Sequence, residues 1–141
     1  MSLFESSPSA ARRMVSVLRI VVGLLYMEHG TQKLFDFPPA AMPGFPVHLM
    51  TQMGLAGVLE TFGGLLILLG LLTRPVAFVL AGEMAVAYFK AHFPRSIFPL
   101  LNMGEPAVLF CFIYLYLVVA GAGEWSVDSM IAKSKNQGGR R

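Results

Sequence analysis

Between positions 28 and 33 an otherwise apolar stretch acquires Glu28, His29, Gln32 and Lys33 within six residues. The preceding residues, Met14 to Met27, hold a single charge, Arg19. Ionisable groups at membrane depth are costly to keep and face a bundle interior or a water-filled pocket. Later apolar segments carry Glu60, Glu83, Lys90 and His92, and Glu105 stands near the start of the last one. Carboxylates, imidazoles and ammonium groups in this mixture suit proton exchange and hydrogen bonding to a small polar molecule, provided helices bring them together.

The elements that must do so are readable. Hydrophobic residues make up 55% of the 141 positions and charged residues 13%, where soluble domains carry about a quarter charged. Mean hydropathy is +0.64. The pattern predicts an all-α integral membrane four-helix bundle with helices over about 13–35, 49–72, 75–93 and 102–122. A mobile tail at 1–11 precedes the 12–128 membrane domain, and a basic, disordered tail follows at 129–141. The first apolar run reaches the roughly twenty residues a spanning helix needs and shows no cleavage site, so it reads as a retained anchor. Phe37-Pro38-Pro39 ends helix one, glycines at 54, 57, 63 and 64 let helix two pack closely, and Asn102-x-x-Glu105 reads as a capping box for helix four.

Net charge is +3, but four of the eleven cations lie in the last nine residues and Arg12 and Arg13 precede helix one. No basic face runs along the domain, which argues against nucleic acid and for contact with the lipid bilayer. Arg12, Arg13, Arg74, Lys133, Lys135, Arg140 and Arg141 would share one side, so the positive-inside rule places both termini in the cytoplasm. Cys111 is alone, which excludes an internal disulfide and a C-x-x-C pair. His29, His48 and His92 lack zinc-site spacing, so no metal site is expected. His29 and His92 could hold a haem between helices, but nothing else in the spacing supports it.

Rise per residue converts position into depth. Measured from the cytoplasmic edge, Arg19 lies about 9 Å in and Glu83 about 12 Å in, so these two are expected to pair. Glu28 and Lys90 both fall at about 22 Å and form a second expected pair. Gln32, Lys33, His92 and Glu105 lie near them or slightly further out. Glu60 lies at about 19 Å with no cation in its layer, and His29 is its nearest complement. A carboxylate buried without a cation tends toward its neutral form and can donate a hydrogen bond or exchange a proton. Glu60 and His29 are therefore the expected catalytic pair, with Arg19, Glu28, Gln32, Lys33, Glu83, Lys90, His92 and Glu105 as ligand-binding groups. The competing reading is structural, in which buried pairs only fix helix register.

Four patterns in order resemble the DoxX family of small bacterial membrane proteins. They are Arg19-x3-Gly23 with His29-Gly30-x2-Lys33-Leu34; Leu59-Glu60-x2-Gly63-Gly64 running to Leu69-Gly70-Leu71-x-Thr73-Arg74; Gly104-Glu105; and Gly121-x-Gly123-x-Trp125-Ser126-x-Asp128. The resemblance implies a multi-pass protein of the bacterial cytoplasmic membrane. It also implies kinship with the membrane subunit of a thiosulfate:quinone oxidoreductase, and with proteins tied to quinone or thiol stress or assembled with sulfurtransferase and superoxide dismutase partners. It supplies no catalytic residues, and Pro106 after Glu105 departs from the ordinary helix former expected there.

The function this predicts is binding of a quinone-like or other small redox-active molecule within an oxidoreductase system. No flavin, nicotinamide or iron–sulfur motif is present, so a soluble redox partner would supply electrons. The alternatives are a non-catalytic scaffold that recruits soluble partners through its basic tail, and a small transporter acting as a homo-oligomer. The second lacks the internal inverted repeat common in transporters.

Overall fold

A computed structural model describes residues 7–41 and 43–138, which contain helices and no strand. Helix α1 spans Pro8–Phe35. It begins earlier than expected because Ser7 caps it, accepting from the Ala10 N–H at 3.2 Å, and Pro8 occupies the first turn. The expected mobile tail is thus helical from Pro8, and residues 1–6 lie outside the described residues. A loop holding Pro38, Pro39, Pro43 and Pro46 leads to a second rod, Gln52–Leu69. This rod is α2 (Gln52–Val58), a π-helical turn at Leu59–Gly63, and α3 (Gly64–Leu69).

The third rod is α4 (Thr73–Ala87) and a second π turn, Tyr88–His92. A short helix α5 (Pro99–Asn102) precedes α6 (Glu105–Ala120) and α7 (Val127–Gly138). The expected capping box does not form. Asn102 closes α5 instead, with its Nδ2 donating to the Ser96 carbonyl and its Oδ1 accepting from the Gly104 N–H at 2.7 Å each. The expected disordered tail is helical as far as Gly138, and the last three residues lie outside the described residues.

Glycines set the α1 contact with the second rod. A Cβ on Gly23 would lie 2.7 Å from the Leu68 backbone nitrogen, and Gly30 lies against Thr61 and the Gly57 carbonyl. The two rods therefore run antiparallel at backbone-contact distance, as small residues permit in membranes. Between the rods lies a core of Val22, Tyr26, Ile67, Leu80, Met84, Tyr114 and Leu117. Outward, α1 exposes Val17, Val21, Leu24 and Leu25; the second rod Phe62, Leu65 and Leu69; α4 Phe78; α6 Leu109, Phe112 and Val119. An apolar surface that continuous suits lipid and is foreign to soluble monomers. Gln52–Leu69 is the one described helix that meets both the length and the apolarity of a membrane span.

Arg19 ties one end of the bundle together and does not pair with Glu83. It is 1% exposed and donates to the carbonyls of Ile67, Leu68, Ala122 and Trp125. The reason is level. Glu83 sits beside Tyr26, two helical turns further along α1, while Arg19 faces the carbonyl end of α3. Helix C-termini present unpaired carbonyls and partial negative charge, a natural seat for a guanidinium. Gly70 makes room for it. Gly70 has φ 68°, and a Cβ there would lie 2.8 Å from the Arg19 Cζ.

Asp128 completes this end. Its two carboxylate oxygens accept from the Leu72 and Thr73 N–H groups at 2.9 Å, capping α4 from the far end of the chain. At the surface Arg13 pairs with Glu124 at 3.1 Å. Trp125 is exposed beside them, as an interfacial aromatic would be.

The clamp and the glycine contact each predict a change in stability. Replacing Arg19 by Met should cost roughly 3–5 kcal/mol, the order found when a buried charged contact loses one partner. Arg19→Lys should recover only part of this, because one ammonium cannot reach all four carbonyls on the two segments. Thermal unfolding in detergent micelles reads both, and a wild-type midpoint for Arg19→Met would contradict the assignment. Gly23→Ala should lose about 1–3 kcal/mol by overpacking. Gly82→Ala, where a Cβ meets nothing within 4 Å, should gain up to about 1 kcal/mol of helix propensity.

Candidate functional site

Three turns of α1 project Tyr26, His29 and Lys33 toward the second rod and α4, at i, i+3 and i+7 spacing. Lys33 sends its ammonium to both carboxylate oxygens of Glu60. The expectation of a carboxylate without a cation is therefore corrected. Gly30 stands against Gly57 and Thr61, so the long Lys33 side chain has less than one turn to descend to Glu60. Glu60 is 3% exposed and lies inside the first π turn. There the Thr61 hydroxyl donates to the Gly57 carbonyl at 2.7 Å, a side-chain bond that competes with regular helix pairing. π turns inside α-helices occur often at functional sites.

One layer further in, the Tyr26 hydroxyl donates to Glu83 Oε2 at 3.0 Å. The other oxygen, Oε1, is buried without a partner among the described residues. The Tyr26 ring is fixed edge-on against Phe110 and Tyr114 at 5.1 and 5.0 Å between centroids. His29 meets Phe110 edge-on at 5.9 Å. At the opposite end of α4 the second π turn holds Lys90 and His92, and His92 Nδ1 lies 3.0 Å from the Asn102 carbonyl.

These groups surround a cavity of about 870 Å³. Its polar lining is Tyr26, His29, Lys33, Gln52, Glu60, Glu83, Lys90 and His92, and its walls are largely aliphatic, with Leu55, Leu59, Val79 and Val86 among them. Ligand pockets in proteins run roughly 300–1,000 Å³ with apolar walls and a few polar groups, so the dimensions suit a small molecule. The arrangement offers an ion pair, a phenol–carboxylate pair and two imidazoles to a molecule whose body remains in apolar surroundings. No group of three or more His, Cys, Asp or Glu among the described residues could hold a metal ion.

Four expected site residues lie elsewhere. Arg19 belongs to the opposite end of the bundle. Glu28 is exposed and does not line the cavity, and no described ion pair joins it to Lys90. Gln32 donates to the Pro38 carbonyl at 3.1 Å and holds the proline loop. Glu105 is exposed at the start of α6, where a carboxylate favours the helix terminus. Tyr26 is the residue that sequence reasoning missed. Its spacing to His29 and Lys33 carried the signal. A second, smaller cleft of about 410 Å³ lies between Arg12, Arg74 and Asp128. Its main charges are already engaged: Arg74 donates to the Val118 carbonyl at 2.9 Å, and Asp128 caps α4.

Comparison with known proteins identifies the family. The DoxX family profile matches residues 14–93, more than half of the chain. An uncharacterized protein of Haemophilus influenzae is 39% identical over 122 residues, covering 84% of this chain and 91% of its own length. An uncharacterized membrane protein of Mycobacterium tuberculosis is 28% identical over 142 residues, covering 90% and 86%. The inner membrane protein YqjF of Escherichia coli K12 is 30% identical over 128 residues, covering 84% and 92%. No solved structure matches the chain. The chain belongs to the DoxX family and is a protein of the bacterial inner membrane.

Proposed function

We propose that this protein spans the inner membrane four times, with both termini in the cytoplasm, and binds a small molecule in the cavity beneath its outer half. The molecule has an apolar body and a polar head. A quinone-like or other redox-active compound fits that description, and the protein would then serve as the membrane subunit of an oxidoreductase system whose electrons come from a soluble partner. The observation that carries this reading is the roughly 870 Å³ cavity with aliphatic walls and the Lys33–Glu60 pair at its base. A buried ion pair seldom adds net stability, so its presence beside a cavity favours a role in binding. Glu60 and His29 would handle hydrogen bonds or protons, Glu83 would join them, and Lys90 and His92 would shape the potential near the mouth.

One observation favours a second reading, a scaffold that recruits soluble partners. Helix α7 leaves the bundle with Met130, Lys133 and Lys135 exposed, a surface that another protein could cover.

Extraction into lipid nanodiscs followed by native mass spectrometry separates the two. A small molecule should co-purify with the wild type and fall by roughly 10–100-fold in Glu60→Gln, the scale of a lost charged hydrogen bond. Gly82→Leu, which adds bulk to the cavity wall without touching a polar group, should displace it as well. Equal small-molecule content in all three would sink the binding reading. Loss of a protein partner only on deletion of residues 133–141 would favour the scaffold.

A further inference from the structure

On the outer face of the Arg19 clamp, the cleft of about 410 Å³ holds two cations, Arg12 and Arg74, and one carboxylate, Asp128. Its remaining polar side chains are Thr73, Ser126 and Ser129. Much of this capacity is spent. Asp128 turns both oxygens to the N–H groups that begin α4. Ser126 bonds the Gly123 carbonyl and the Ser129 N–H, and the Ser129 hydroxyl donates to the Glu124 carbonyl. The Thr73 hydroxyl is buried below the cleft surface. What stays open is guanidinium. Arg12 is exposed, and no ion pair or hydrogen bond among the described residues uses its side chain. Arg74 gives Nη1 to the Val118 carbonyl at 2.9 Å, which anchors the group and leaves the edge formed by Nε and Nη2. That edge lies beside Gly121, which is held at φ 81° and leaves it uncovered; a Cβ there would stand 3.4 and 3.5 Å from Nη2 and Nε.

We infer that this cleft binds a phosphate group, held by the Nε–Nη2 edge of Arg74 with Arg12 as a second cation. Two parallel N–H groups on one edge match two phosphate oxygens, a geometry an ammonium cannot supply. A membrane phospholipid and a soluble phosphate both carry the group, and the surroundings select the lipid. Leu72 lines the cleft and is exposed; so are Phe78, one turn along α4 from Arg74, and Val119 of α6. Hydrocarbon chains below a headgroup in the cleft would lie along this apolar surface. Trp125, exposed at the same end, marks the headgroup level. Charge selects among lipids. With Asp128 committed to helix N–H groups, the two arginines disfavour a headgroup that carries its own cation, such as choline. The ligand class is an anionic phospholipid, and the site is separate from the cavity around Lys33 and Glu60.

The test places the full-length protein in nanodiscs of equal parts phosphatidylglycerol and phosphatidylcholine and reads, by native mass spectrometry, the ratio of the two lipids retained. Both lipids are read on the same molecules, so a variant that folds less stably does not distort the ratio. The wild type should retain phosphatidylglycerol over phosphatidylcholine by about tenfold, the scale of one charged hydrogen bond. Arg74→Gln should bring the ratio near parity, and Arg74→Lys, which keeps the charge without the edge, should restore only part of it. Arg12→Gln should lower it about fivefold, the scale of one basic residue at an anionic surface. The double variant Lys133→Gln/Lys135→Gln removes two exposed charges outside the cleft and should leave it unchanged. Parity in the wild type, or a ratio moved as far by the α7 double variant as by Arg74→Gln, would overturn the site. Inorganic phosphate that raises the unfolding temperature in pure phosphatidylcholine nanodiscs, through Arg74 and with no lipid preference, would overturn the lipid source in favour of a soluble phosphate.

Discussion

A guanidinium buried where no water can reach it must place its N–H groups on protein acceptors, and the fold depends on how Arg19 does so. Its partners are backbone carbonyls at the end of α3 and in the turn between α6 and α7. The end of a helix leaves carbonyls short of intrahelical donors, and the guanidinium serves them there, sharing the Ile67 carbonyl with the Gly70 N–H at 3.0 Å. One side chain thus satisfies itself and ties together two chain segments far apart in sequence. Gly70 supplies the space, and Ser16 receives the Trp125 N–H at 3.0 Å beside it. Asp128 adds the complementary device, a carboxylate on the N–H groups that begin α4. With one end clamped in this way, the rods are held in register along their length.

At the other end the same accounting is left incomplete. A cavity opens there, and its polar groups are only partly satisfied: Lys33 and Glu60 answer one another, while Glu83 Oε1 has no partner among the described residues. A chain that satisfies Arg19 so thoroughly has the means to satisfy Glu83 too. The two π turns accompany this half of the structure, one carrying Glu60 and the other Lys90 and His92. Each adds a residue to a helical turn and rotates the next turn of helix, which costs regular hydrogen bonding and places polar side chains around the cavity. Closed packing at one end and open polar capacity at the other is the division expected of a binding protein built on a rigid base.

The rods themselves could be read from the chain, because apolar length, proline and glycine act locally. Close packing of helix two was legible in its glycines, but its partner was not: only the fold sets Gly57 and Gly64 against Gly30 and Gly23 of α1. Six of the ten expected site residues line one cavity for the same reason: intramembrane charge has few places to go. Pairing by depth failed. Counting backbone rise treats each charge as sitting at its own Cα, whereas Lys33 reaches down to Glu60. Matching charge with charge also overlooks the backbone, and Arg19 chose carbonyls. Ser7-Pro8 carried a helix-start signal within the supposed tail, and Asp128 carried a capping role that only the tertiary fold exposes.

The central claim is that the polar base formed by Lys33, Glu60 and Glu83 receives the head of a small molecule. A structure determined by electron cryo-microscopy of the protein in nanodiscs made from native membrane lipid tests this most directly. The account predicts non-protein density in the cavity, its head against Lys33 and Glu83 and its body along Leu59 and Val79. A cavity closed by repacked side chains, with Glu83 Oε1 paired to a protein donor, would contradict it.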